Sequence, residues 1–144
     1  MTGLTNELLE HQPRFSSKTV QLIATFLTNL TQPCCLIAHN GFKYDFPLLK
    51  AEILKTGYDE HLDFYVLDSL QALKTILLHR GKPPPKSFAL SSLHQHMFGV
   101  KPKKVHGASH DVHSLIRVCA SLANNFVEYS KRHFEKLSSV KQMW

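Results

Sequence analysis

Cys35-Leu-Ile-Ala-His-Asn-Gly-Phe-Lys-Tyr-Asp-Phe-Pro-Leu-Leu49 is the stretch on which the fold turns. Its opening, Cys34 to Ala38, is a short apolar run of the length of a buried strand. His39-Asn40-Gly41 is a turn signal. A helix from about Tyr44 to Lys55 follows, with Leu48, Leu49 and Ile53 on one side and Gly57 as its C-terminal cap. Asp45 then falls just past a buried strand and at the start of a helix. Ligands of open α/β sheets bind outside the carboxyl ends of strands. A lone Asp at a helix start is equally a cap or a partner of the helix dipole.

Working outward, residues 1–17 are polar and mixed, and Ser16 or Ser17 is placed to cap a helix over Lys18 to Leu30. Val20, Ile23, Phe26, Leu27 and Leu30 give that helix its apolar face. Phe64 to Leu67 reads as a second strand. Asp68-Ser69 is placed to cap a helix carrying Leu70, Leu73, Ile76 and Leu77. His79 to Lys86 is a proline-rich basic loop, Phe88 to Phe98 a helix with Leu90, Leu93 and Met97, and Gly99 to Val105 a basic loop. A helix over Ser109 to Leu122 presents Val112, Leu115, Ile116 and Cys119, and a last helix runs from Phe126 to Leu137. Ser138 to Trp144 reads as a short tail of a single partial domain spanning residues 1–144. Strands alternating with helices indicate an α/β fold. Two strands are too few for a sheet covered on both faces, so strands are missing from the pattern.

Composition sets the broad class. The 144 residues are 43% hydrophobic, enough for one core, and carry a net charge of +6, which favours a polyanionic partner such as nucleic acid. Three cysteines, two of them adjacent, do not make a disulfide framework and point to a reducing compartment. No signal peptide and no membrane-spanning run is present, so a soluble intracellular protein is expected.

Three groups can carry chemistry. Asp45 and Asp111 are carboxylates near helix starts, and hard cations such as Mg²⁺ take a few carboxylates and keep several waters. His106 stands in the flexible stretch His106-Gly-Ala-Ser-His-Asp111, where a His beside a metal-binding carboxylate can deprotonate a bound water. A surface loop His and a dipole-paired Asp are the plain alternatives. A zinc site among His94, His96, His106, His110 and His113 lacks any spaced Cys pair and is the weakest reading.

Four matches in order then make a resemblance specific. Ile37-Ala-His-Asn-Gly-Phe-Lys-Tyr-Asp-Phe-Pro-Leu-Leu49 resembles the second motif of the DEDDh 3′→5′ exonucleases, and most closely their three-prime repair exonuclease branch. Val66-Leu-Asp-Ser-Leu-Gln-Ala-Leu-Lys74 resembles the following strand and helix, and Lys86-Ser-Phe-Ala-Leu-Ser-Ser-Leu93 its Lys-Ser-Tyr-type helix start. His106-Gly-Ala-Ser-His-Asp-Val112 fits the His-x₄-Asp third motif, and together the matches cover roughly residues 30 to 125. The resemblance implies a ribonuclease-H-like exonuclease fold with flanking helices. It implies removal of nucleoside monophosphates from DNA 3′ ends by two Mg²⁺ ions, with Mn²⁺ as a substitute, in DNA repair. It implies Asp45 and Asp111 as metal ligands and His106 as general base. It implies Asn40, Lys43, Tyr44, Ser87 and Phe88 as substrate-binding positions, Phe88 replacing the usual Tyr.

One departure is large. No Asp-x-Glu, the family's first motif, occurs anywhere in the chain, and Met1-Thr-Gly-Leu resembles the family sequence just after its first three strands. The resemblance therefore implies an N-terminally truncated sheet and only two of four carboxylates. It also implies loss of the family homodimer's edge strand and little or no activity of the chain alone. Single-stranded DNA or DNA 3′ ends, in nucleus or cytosol and with no membrane, are the expected partners. The alternative is a non-catalytic nucleic-acid-binding or interaction module derived from the exonuclease fold.

Overall fold

In the computed structural model, residues 5–58, 64–81, 83–102 and 108–141 are described. They form two compact units. One comprises Pro13–Ser69 with the chain from His133 onward; the other comprises the chain up to Gln12 with Leu70–Arg132.

The first unit is built on a three-stranded mixed sheet. Strand β1 (Cys35–Ala38) pairs parallel with β2 (Tyr65–Asp68), Ala38 opposite Asp68. Helix α1 (Asn6–Glu10) belongs to the other unit, and α2 (Ser17–Thr28) to this one. Parallel strands need a long crossover, and α3 (Asp45–Lys55) lies within it. Val66 and Leu67 are both buried, one on each face of β2, as expected of a central strand. Val20 of α2, Phe46 and Ile53 of α3, Val66, Leu137 and Val140 form the core, with Leu36, Phe42, Leu49 and Phe64 packed against it.

The chain ends differently from the sequence expectation. Helix α7 (Ala123–His133) stops before Glu135, where a helix to Leu137 is expected. Glu135–Lys136 forms β3, antiparallel to β2 with Tyr65 opposite Lys136. Glu and Lys favour helix, but the open edge of β2, the burial of Leu137 and a 4.4 Å ring contact between Tyr65 and Phe134 override that preference. A 3₁₀ turn, Leu137–Ser139, follows. Lys50 Nζ donates to the carbonyls of Ser138 and Val140, both at 2.6 Å, so these residues are tied to α3 instead of hanging as a tail. Among the described residues no strand pairs with the outer edge of β1, and Ile37 there is 43% exposed.

The second unit is helical. Helix α4 (Ser69–Leu78) buries Ala72, Leu73, Ile76 and Leu77, on the expected side. Helices α5 (Leu90–Phe98) and α6 (Ala108–Ala120) pack together, with Leu93 and Val118 fully buried and the Arg117 guanidinium 4.6 Å from the Phe98 ring centroid. On α6 the buried face is turned from the expected one. Ser114 and Val118 are inside, whereas Val112 is 53% and Ile116 58% exposed. Apolar residues occupy more than one side of this helix, so periodicity alone does not choose the inner face. On α2, likewise, Val20 and Leu27 are buried and Phe26 and Leu30 face outward.

Burial pushes the Cys35 thiol up to about 11, with Cys34 adding to the rise, and burial pushes Cys119 up to about 11. Both pKa values lie above the ordinary 9.0, so the protonated thiols' contribution to stability is complete below 9.0 and is lost as pH rises through about 11. Cys35 and Cys119 should therefore alkylate slowly in iodoacetamide at about pH 8 and quickly near their shifted pKa values, read by peptide mass spectrometry. Lys50→Met should lower stability by about 1–3 kcal/mol and speed amide exchange at Val140, because two carbonyls lose a charged donor.

Candidate functional site

Because β1 and β2 are parallel, their carboxyl ends lie side by side, and the chain leaves β1 through the turn His39–Tyr44 directly into α3. The turn is held from three directions. Asn40 takes a left-handed conformation, φ 63°, which Asn tolerates better than most residues. Its carbonyl accepts from Lys43 N–H at 3.2 Å, and Gly41 C=O accepts from Phe46 N–H at 3.0 Å. Beneath the turn, a Cβ on Gly41 would come within 2.5 Å of the Phe46 ring and 2.8 Å of Ala38 Cβ, so only glycine fits.

From the side, the buried carboxylate of Asp68 accepts from Asn40 N–H at 2.9 Å on one oxygen and from Phe42 N–H at 3.3 Å on the other. Ser69, fully buried, donates its hydroxyl to Ala38 C=O at 3.2 Å. His39 Nδ1 lies 3.0 Å from the same hydroxyl oxygen, within hydrogen-bond distance. Sequence reasoning placed Asp68 as a helix cap and missed this bond pair. The partners are 26 and 28 residues apart, and the only local signal is an Asp closing a strand that follows an Asn-Gly turn.

Four of the expected site residues are gathered by this turn. Asn40 is half-buried; Lys43, Tyr44 and Asp45 are exposed. Lys43 Nζ lies 5.1 Å from the Tyr44 ring centroid, within cation–π range. Asp45 begins α3, where its negative charge complements the helix N-terminus.

Ser87, Phe88 and Asp111 belong to the helical unit. Ser87 Oγ donates to Ser92 Oγ at 2.9 Å and accepts from Ala89 N–H at 3.4 Å, which places it as a brace for the start of α5. Phe88 is half-buried. Asp111 is exposed in the first turn of α6, and His113 Nδ1 donates to Ser109 C=O at 2.6 Å in the same turn. His106 lies outside the described residues. Among the described residues no three His, Cys, Asp or Glu side chains form a group that could hold a metal ion. No described helix is long and apolar enough to cross a membrane.

No protein-family model matches the chain. It is 37% identical over 150 residues to three-prime repair exonuclease 1 of Bos taurus, an alignment covering all of this chain and 48% of that relative. The human three-prime repair exonuclease 1 is 33% identical over 152 residues, with the same coverage. Three prime repair exonuclease 2 of Mus musculus is 31% identical over 153 residues, covering all of this chain and 64% of that relative. The chain thus spans about half the length of the first two relatives.

Gly41→Ala should be destabilising by about 1–3 kcal/mol or more, since both the Phe46 ring and the end of β1 would have to move. Denaturant titration of the variant against the parent chain measures it.

Proposed function

We propose, for a chain homologous along its whole length to the three-prime repair exonucleases, that it forms part of a 3′→5′ DNA exonuclease domain. That domain removes nucleoside monophosphates from DNA 3′ ends, in nucleus or cytosol. The observation that carries the reading is the braced turn at the carboxyl ends of two parallel strands, which presents Asn40, Lys43, Tyr44 and Asp45 together. Lys43 offers an exposed ammonium to the phosphate backbone. Tyr44, 51% exposed, offers a ring face on which a base can stack. Asn40 supplies an amide for hydrogen bonds, and Ser87 and Phe88 of the helical unit are kept as substrate-binding positions.

In this reading Asp45 and Asp111 are metal ligands and His106 is the general base. Divalent ions, when bound in a complete site, supply the activated water and the charge stabilisation of phosphodiester hydrolysis. The described donors do not form such a site, and the sequence holds no Asp-x-Glu. We therefore assign strand holding, and not hydrolysis, to this chain alone.

The test uses 3′-labelled single-stranded DNA and the purified chain, with Mg²⁺ or with EDTA. Binding should be seen by fluorescence anisotropy, weakened about fivefold or more by Tyr44→Ala, with no metal-dependent release of mononucleotides. Absence of binding overturns the reading. Metal-dependent release that disappears in Asp111→Ala overturns the assignment of strand holding alone.

A further inference from the structure

The turn that presents Asn40, Lys43 and Tyr44 takes its shape from a group that is not in it. Backbone N–H groups on either side of a left-handed residue converge on a shared concavity, an arrangement that elsewhere captures anions. Here the anion is the chain's own. Asp68 places one carboxylate oxygen 2.9 Å from Asn40 N and the other 3.3 Å from Phe42 N, and only 3% of the residue is exposed. Water therefore competes poorly for either donor. The next residue, Ser69, fixes Ala38 and His39 through its hydroxyl. Two consecutive residues at the end of β2 thus hold four of the five residues from Ala38 to Phe42, all within one compact unit.

We infer that Asp68 is a positioning residue for DNA binding. It acts through the backbone of Asn40 and Phe42, and sets the left-handed conformation at Asn40 from which Lys43 and Tyr44 project toward the nucleic-acid strand. The inference rests on the proposed DNA-binding role of that turn. A carboxylate is required because both of its oxygens accept. The amide of Asp68→Asn has the same size, but it sets an NH₂ group against one of the two N–H donors.

The experiment compares the parent chain, Asp68→Asn and Leu73→Ala. Leu73 is a fully buried residue of the helical unit, and its loss controls for lowered stability alone. Single-stranded DNA affinity is read by anisotropy, and exchange of the Asn40 and Phe42 amides by ¹⁵N NMR, below the melting temperature of each variant. Asp68→Asn should weaken DNA binding about tenfold and speed exchange at Asn40 and Phe42. Leu73→Ala should leave affinity unchanged. Parent-like affinity in Asp68→Asn, or equal weakening in Leu73→Ala, overturns the inference. A parent chain that binds no DNA defeats the proposed function instead. The clamp is then judged by exchange alone, and unchanged exchange at Asn40 and Phe42 overturns it.

Discussion

Parallel pairing of β1 with β2 leaves the end of one strand abutting the end of the other, with the first strand's exit loop running over the junction. Backbone donors in such a loop lose water as they pass over the sheet, and an unpaired buried N–H costs about 1–3 kcal/mol. A single buried carboxylate meets two of these donors at once, Asn40 and Phe42. A buried carboxylate is itself costly unless it is hydrogen-bonded, so each partner stabilises the other. The backbone at Asn40 and Phe42, just before α3, is held by that exchange.

The same economy of parts recurs below the turn. Phe46, the second residue of α3, belongs to the core with Val20 and Val66, and also fills the space that would receive a side chain at Gly41. Lys50, one turn further on, binds the carbonyls of the C-terminal segment that caps the core with Leu137 and Val140. A disturbance of the core therefore reaches the turn through one helix.

Local patterns made much of this legible. The apolar runs at Cys34–Ala38 and Phe64–Leu67, punctuated by Asn40-Gly41 and Asp68, gave both long strands to within a residue. Helices α3, α4 and α5 followed from the spacing of their apolar residues, and the end of α3 from Gly57. What stayed hidden was non-local. Strand β3 is two residues of helix-favouring type that pair across some 70 positions of sequence, and nothing in Glu135-Lys136 announces a strand. The inner face of α6 depends on which neighbour it meets, and Val112 and Ile116 suit either side. Of the candidate site, Asn40, Lys43, Tyr44 and Asp45 fall within one short stretch of sequence, so the turn they share was legible. Asp68 was not, because its role exists only once the strand ends are paired.

At Asp45 and Asp111 the helix itself already favours a negative charge. Each lies in the first turn of its helix, where the exposed N–H groups favour a negative charge by about 0.3–1 kcal/mol without any cation. Mg²⁺ gives up its waters reluctantly and asks for several oxygen donors held together. A polyanion makes no such demand. It responds to the chain's net charge of +6 and to an exposed ammonium and ring such as Lys43 and Tyr44. Contact with a strand calls for a turn of fixed shape, and the buried carboxylate of Asp68 braces this one through Asn40 and Phe42.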